Sequence, residues 1–354
     1  MIKVYDFFSG CGGASYGFKK SGMQIALGLD NNLYAAETFM LNFPEAGFIK
    51  EDIRKIKVQD IEPYYDNSMA TLFCGCAPCQ PFSKQNKYKN SNDERINLLS
   101  EFGRFIEYYL PDYIFVENVP GIQNFSIEMS PLADFCDLLS KLKYTQPLIS
   151  IVEASRYGVP QRRKRLIVMA SKSYNIELPP FTHGDGTSNP DYSTTGDWIM
   201  NLSTLRAGEV DRNDPDHCAA SLSEMNLKRI RATTEGGSRQ DWPKELWLDC
   251  HKNHSGHSDV YGRLSYSKTA SAITTKCLSY SNGRFGHPVE DRAISVREAA
   301  CLQTFPRTYS FCGSMISKAK QIGNAVPPLM AKCFGKVFVE LEQRHKETEK
   351  AEAN

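Results

Sequence analysis

The chain has no apolar run approaching the length of a membrane span, and its first residues lack the pattern of a secretory leader. A cytoplasmic protein with no membrane partner is therefore expected. There is no internal repeat, and no low-complexity tract beyond a short charged tail after Glu340. No second C-x-x-C exists to join the one formed by Cys76 and Cys79, so a zinc site is short of ligands and no metal is expected. The 11 cysteines are odd in number and scattered, which suits reduced thiols better than a disulfide framework. Net charge is nearly absent too. At a formal +1 it neither supports nor excludes a nucleic-acid partner, and the distribution of charge has to decide.

What is present is a soluble composition, 41% hydrophobic and 23% charged over 354 residues, enough for one large domain and a smaller one. The stretch from Thr71 to Ser83 draws attention first. A short apolar run, Met69 to Phe73, reads as a strand that Gly75, Pro78 and Pro81 break into a tight loop. Cys79 then lies just past the carboxyl end of a strand, where open α/β sheets place their chemistry, on a turn stiffened by Pro78. A thiol there can serve as a nucleophile if its proton is removed, and the alternative is a structural or metal-binding cysteine.

Upstream, Ile2 to Phe7 reads as a strand running into the glycine-rich turn Ser9-Gly10-Cys11-Gly12-Gly13 and then a helix. Gln24 to Leu29 forms a second strand ending at Asp30, and Gly47 to Ile53 a third ending near Asp52. A carboxylate at such an end can hold a ribose hydroxyl, although either aspartate alone reads more readily as a helix cap or turn residue. Ser83 to Glu94 is a polar, lysine-bearing loop, and a helix follows over Ile96 to Leu110. Tyr113 to Val116 is a strand with Glu117 and Asn118 at its end. Two more strands, Leu148 to Val152 and Leu166 to Ala170, flank the basic turn Gln161-Arg162-Arg163-Lys164-Arg165. Strands alternating with helices predict an α/β fold with a doubly wound, mostly parallel sheet.

The character changes near Pro179. From there to about Pro288 the chain is rich in small polar residues with no helix repeat, which predicts a second, smaller irregular domain. The division expected is 1–178, 179–290 and 291–354, with the last part returning to the first through a final amphipathic helix.

Together these stretches resemble the cytosine-5 DNA methyltransferases of bacterial restriction-modification systems, in the family's motif order and over most of the chain. The segment from Asp6 to Gly13 is similar to the first motif, and Pro78-Cys79-Gln80 to the nucleophile motif. Glu117-Asn118-Val119 resembles the glutamate motif, Gln161 to Arg165 the arginine-rich one, Arg297 to Gln303 the ninth, and Gly323 to Pro328 the tenth. The resemblance implies S-adenosylmethionine as cofactor, held by Asp6, Phe8, Ser9, Gly10, Cys11, Gly12, Gly13, Asp30, Asn31, Asp52, Ile53, Gly75, Pro78, Leu98, Asn324, Ala325 and Val326. It implies Cys79, Glu117, Arg163 and Arg165 as catalytic residues, with the methyl group passing to C5 of a cytosine through a covalent adduct at C6. It also implies double-stranded DNA as partner, a restriction endonuclease acting on the same site, and a monomer.

DNA contacts are expected from Gln80, Ser83, Lys84, Asn118 and Gln161, and from Arg231, Arg239, Arg263 and Thr274 in the irregular segment. Cys76-Ala77, Asp30 and the glycine-free Arg95-Ile96-Asn97-Leu98 depart from the usual motifs, but none removes a reacting group. The cluster of His251, His254 and His257 beside Cys250 reads as phosphate or structural contacts rather than zinc ligands. Rival readings are a transfer-RNA cytosine methyltransferase, whose Cys-Phe-Thr signature is missing, and a non-catalytic DNA binder on the same fold. A nucleotide-dependent oxidoreductase would need a G-x-G-x-x-G, which the chain lacks.

Overall fold

The computed structural model describes residues 1–77, 98–120, 131–252 and 259–352. The chain forms two compact units, the first from Met1–Glu153, Lys164–Phe181 and Val326–Asn354, the second from Ala154–Arg163 and Thr182–Ala325.

Elements are numbered along the chain. The first unit holds β1 (Ile2–Phe7), α1 (Gly13–Lys20), β2 (Gln24–Leu29), α2 (Leu33–Asn42), β3 (Gly47–Ile49) and β4 (Ala70–Gly75). It continues with α3 (Leu98–Tyr109), β5 (Tyr113–Asn118), α4 (Pro131–Lys141), β6 (Leu148–Glu153), β8 (Lys164–Ser171) and α10 (Pro328–Glu352). The strands make one sheet in the order β3-β2-β1-β4-β5-β8-β6. All run parallel except β8, which is antiparallel to both neighbours. The chain winds outward from β1 to β3, then restarts on the other side at β4, so β1 and β4 flank the point where strand order reverses.

Burial explains the strand sequences. Every residue of β5 is buried, as a central strand covered on both faces requires, whereas edge strand β6 leaves Ile149 and Ile151 exposed. Rings from β1, β4 and α3 interlock in the core, with Phe7 against Phe73, Phe102 and Phe105. The last helix returns to this unit: Phe334 packs on Phe115, and Phe338 on Tyr113. Among the described residues, no helix is long and apolar enough to cross a membrane.

The second unit holds β7 (Gln161–Arg162), α5 (Thr195–Ile199), α6 (Glu224–Arg231), α7 (Asp249–Lys252), β9 (Ala270–Ser271), α8 (Val296–Leu302) and α9 (Met315–Asn324). Helix α6 lies in the stretch that shows no helix repeat, because its eight residues are too few to display one. Its signal was Ser223, whose hydroxyl caps the Asn226 amide at 3.3 Å. Strands β7 and β9 pair in parallel over two residues each.

An aromatic cluster of Trp242, Tyr261 and Tyr280 with Ile230 forms a small core. Buried charge does much of the remaining binding. Arg292 grips Glu298 through two bonds of 2.7 Å, and Glu298 also accepts from the Ser295 amide at the start of α8.

Candidate active site

The turn after β1 and the end of β2 form one polar cradle. Phe8 (φ 60°), Gly10 (φ 54°) and Gly12 (φ 87°) all adopt left-handed backbone, folding the chain back so that α1 starts at Gly13. A Cβ on Gly10 would meet no protein atom within 4 Å, so the turn is open on that side. The Asp30 carboxylate accepts from the Gly10 amide at 2.9 Å and the Asn32 amide at 2.8 Å, which ties the two strand ends together. Burial raises the Asp30 pKa, against the pull of those amides. The cap of α2 is Asn32, which bonds the Ala35 amide at 3.0 Å, so Asp30 is not a helix cap. Asn31 beside it is exposed.

Asp6 lies in β1, two residues before Phe8. Its Oδ2 accepts from Ser15 Oγ at 2.5 Å, while the buried Oδ1 has no hydrogen-bond partner. Burial pushes its pKa to about 7. Ser9 and Cys11 are buried nearby, and burial pushes the Cys11 thiol up as well. The Asp52 carboxylate holds Arg54 at 2.9 and 2.6 Å, and that bond lowers its pKa to about 2. Ile53 is buried, and so is Leu98 at the start of α3.

At the end of β4, Gly75 is obligatory because a Cβ there would lie 2.5 Å from the Phe102 ring. The Cys74 and Cys76 sulfurs stand 3.7 Å apart. Pro78, Cys79, Gln80, Ser83 and Lys84 lie outside the described residues, as do His254, His257 and the side chain of His251. Among the described residues, no group of His, Cys, Asp and Glu could hold a metal ion.

Strands β5 and β8 complete the arrangement. Register sets Glu117 opposite Ile167 and Asn118 opposite Leu166, which brings Arg165 to the same sheet end. Arg165 Nε stands 2.6 Å from Glu117 Oε1. The two side chains make a close, largely buried ion pair at this sheet end. Asn118 accepts from the Val119 amide at 2.6 Å and leaves its buried Nδ2 without a partner. The carboxyl ends of β1, β2, β5 and the start of β8 therefore bring together Asp6, Asp30, Glu117, Asn118 and Arg165. A different hollow of about 320 Å³, near Lys19, Gln24 and Glu45, sits at the opposite end of β2 and carries no comparable set of buried acids.

The remaining residues fall in or beside the second unit. Gln161 is fully buried: its amide nitrogen donates to the Leu302 carbonyl at 3.0 Å and to Gln303, and its oxygen accepts from the Ile273 amide at 3.0 Å. Arg163 is buried as well, with its guanidinium on the backbone carbonyls of Ile273, Gly323 and Ala325. Arg263 donates to the carbonyls of Ile230, Thr233, His287 and Glu290 and to the Asp291 carboxylate, the work of an internal strut. Arg239 is buried, Arg231 is exposed and paired with Asp291 at 3.0 Å, and Thr274 Oγ1 accepts from the Lys276 amide. Asn324 is exposed, Ala325 half-buried, and Val326 buried. Sequence reading overlooked Ser15, the partner of Asp6, and nothing marks it beyond its place in the first turn of α1. Gln303, named in the sequence only as the end of the ninth motif, was given no role there.

The fold recurs in solved structures. A prophage-encoded E. coli protein assigned as a DNA modification methyltransferase superposes with a TM-score of 0.75 at 23% identity, covering 96% of this chain and 99% of that one. The Entamoeba histolytica methyltransferase EhMeth gives 0.64 at 18% identity, covering 96% and 99%. At these identities the likeness defines the fold, that of an α/β methyltransferase.

Sequence goes further: the chain belongs to the C-5 cytosine-specific DNA methylase family, whose model matches residues 2–340. Its enzyme class is DNA (cytosine-5-)-methyltransferase. It is similar to the Type II methylase M.HgiDII of Herpetosiphon aurantiacus, 39% identical over 339 residues and 94% of each chain. The Type II methyltransferase M.Eco47II of Escherichia coli is 30% identical over 349 residues, 96% of this chain and 79% of that relative.

Proposed function

We propose that the chain methylates C5 of a flipped-out cytosine within a specific duplex DNA sequence, through a covalent bond between Cys79 and C6. The observation that supports it best is the buried Glu117 carboxylate at the end of β5, paired with Arg165 at 2.6 Å. The cofactor fit rests on the open turn at Gly10 and the amide-held Asp30 carboxylate, which suit a ligand with ribose hydroxyls. Those residues, with Asp6, would hold S-adenosylmethionine, which when bound supplies an electrophilic methyl group.

The chain's own residues would then act as follows. Cys79, as thiolate, adds to C6 and turns C5 into an enamine-like carbon. Glu117 donates a proton or hydrogen bond at N3, where negative charge builds. Arg165 fixes the Glu117 carboxylate and offers N–H donors to the base carbonyl. C5 takes the methyl group and loses its proton, and the thiolate leaves.

Extruding the base costs a few kcal/mol of stacking and pairing, least at a weakened pair. Residues of the second unit would read the sequence, with Gln80, Ser83 and Lys84 near the target. The likeness to Type II methylases supports a cognate endonuclease acting on the same site in the cytoplasm.

A duplex pool carrying 5-fluorocytosine tests this, because fluorine blocks the final loss from C5. With S-adenosylmethionine present, the enzyme should stall as a covalent adduct that Cys79→Ala cannot form. DNA binding by the unaltered chain with no adduct, or full methylation by Cys79→Ala, would overturn the covalent route.

A further inference from the structure

The ladder between β4 and β5 stops at Cys74 and Phe115, two residues short of Glu117. Strand β5 runs on to Asn118 and is buried throughout, so its backbone on the β4 side needs another partner there. Counting on from that register sets Cys76 opposite Glu117, and the Glu117 backbone N–H points at the Cys76 sulfur. Cys76 Sγ stands 3.7 Å from Cys74 Sγ, a hydrogen-bonding distance for sulfur, because alternate residues of an extended chain share a face. Cys74 is the register partner of Asp6 on β1, and its thiol faces that carboxyl. Ser15 Oγ donates to the same carboxyl at 2.5 Å. A polar chain thus crosses the neighbouring strands β1, β4 and β5, from Ser15 through Asp6, Cys74 and Cys76 to the Glu117 backbone.

Neither thiol is set up as a nucleophile. Burial holds the Cys74 thiol well above its ordinary range. The bond to Cys74 pulls the Cys76 thiol down, but burial and the charges of Glu117 and Asp6 outweigh it. Both act as neutral hydrogen-bonding groups. We propose that Cys76 is a positioning residue, whose thiol clamps the Glu117 backbone to the end of β4 and so fixes the Glu117 carboxyl against Arg165. The inference rests on the reading of Glu117 as the acid at N3 of the base. Cys76 is among the positions that depart from the usual motifs, and the clamp gives that departure a use. Alanine there removes the acceptor and leaves the Glu117 amide without it. Serine keeps both a donor and an acceptor, at shorter reach.

The test compares the whole enzyme with Cys76→Ala, Cys76→Ser, Glu117→Gln and the Cys76→Ala, Glu117→Gln double variant. Single-turnover methylation at saturating S-adenosylmethionine and DNA gives the rate, calorimetry the cofactor affinity, and hydrogen exchange the protection of the Glu117 amide. Cys76→Ala should lower the rate about tenfold and speed exchange at that amide, while cofactor affinity changes less than about twofold. Cys76→Ser should return to within about threefold of the unaltered enzyme. In the Glu117→Gln background, Cys76→Ala should cost less than about threefold, because a group that acts through the carboxyl has no effect once the carboxyl is gone. A full rate in Cys76→Ala overturns the proposal. So does an equal loss in both backgrounds, or a loss that serine does not repair. The acid reading has its own check, since Glu117→Gln should itself lose most of the rate. A full rate in Glu117→Gln refutes that reading, whereas a lowered rate there with unchanged rate and exchange in Cys76→Ala refutes the role of Cys76 alone.

Discussion

Asp6 carries the most exposed test of the site's electrostatics, although it is itself buried. Its ordinary carboxyl pKa of 3.8 rises to about 7 because burial disfavours the anion by more than Ser15 and Cys74 favour it. The native state therefore binds a proton that the unfolded chain releases between those values, so stability falls as pH rises across that window. The full contribution is present below about pH 4 and is lost on passing through about pH 7, with a ceiling of about 4 kcal/mol. Urea unfolding of the cofactor-free protein should show Asp6→Asn gaining on the unaltered chain between about pH 5 and about pH 8. A difference that stays flat with pH would mean that Asp6 ionises normally. Such single residues were unevenly legible. Asp6 and Asp30 could be picked out because a glycine turn and a strand end announce them. Gln161, Arg163 and Arg263 look in sequence like surface polar residues, and only the folded chain shows that backbone carbonyls take up their donors. No periodicity or spacing encodes which carbonyls lie within reach.

Elements were easier to read than their directions. The strands of the sheet follow from apolar runs bounded by glycine and proline, and β1, β4 and β5 appear where those runs fall. The antiparallel course of β8 is harder to see, yet it follows from the chain between β6 and β8. That connection spans 154–163 without a crossover helix, shorter than parallel neighbours require. Helix α1 gives a sharper test of packing. Gly17 lets it approach α10 so closely that a Cβ would lie 2.4 Å from the Pro328 carbonyl oxygen and 2.5 Å from Ala331 Cβ. Gly17→Ala should improve helix propensity yet destabilise the protein by about 1–3 kcal/mol through overpacking. A chemical-denaturation midpoint equal to or above that of the unaltered chain would show that the two helices can separate cheaply.

At the scale of the molecule, the second unit is built from two pieces of chain, and the short piece is bonded into the long one. Residues 154–163 supply β7, Gln161 and Arg163, and they are bound to the long piece through β9, Ile273, Gln303 and the end of α9. Thr182 and His183 begin the long piece by donating to the Arg156 carbonyl at 2.9 and 3.1 Å. Anyone transplanting sequence preference between related methylases would be drawn to the contiguous stretch 182–325. Moving it alone would leave a donor β9 facing a host β7, with the buried glutamine pair split between two ancestries. A chimera that carries 154–163 along with 182–325 should melt near its parents, whereas the single-segment chimera should melt lower and methylate poorly. Equal melting of the two would show that the short piece is interchangeable. If the second unit reads the sequence as proposed, what must be moved is two cassettes rather than one, and the ten-residue cassette is the one a sequence alignment would tempt an engineer to leave behind.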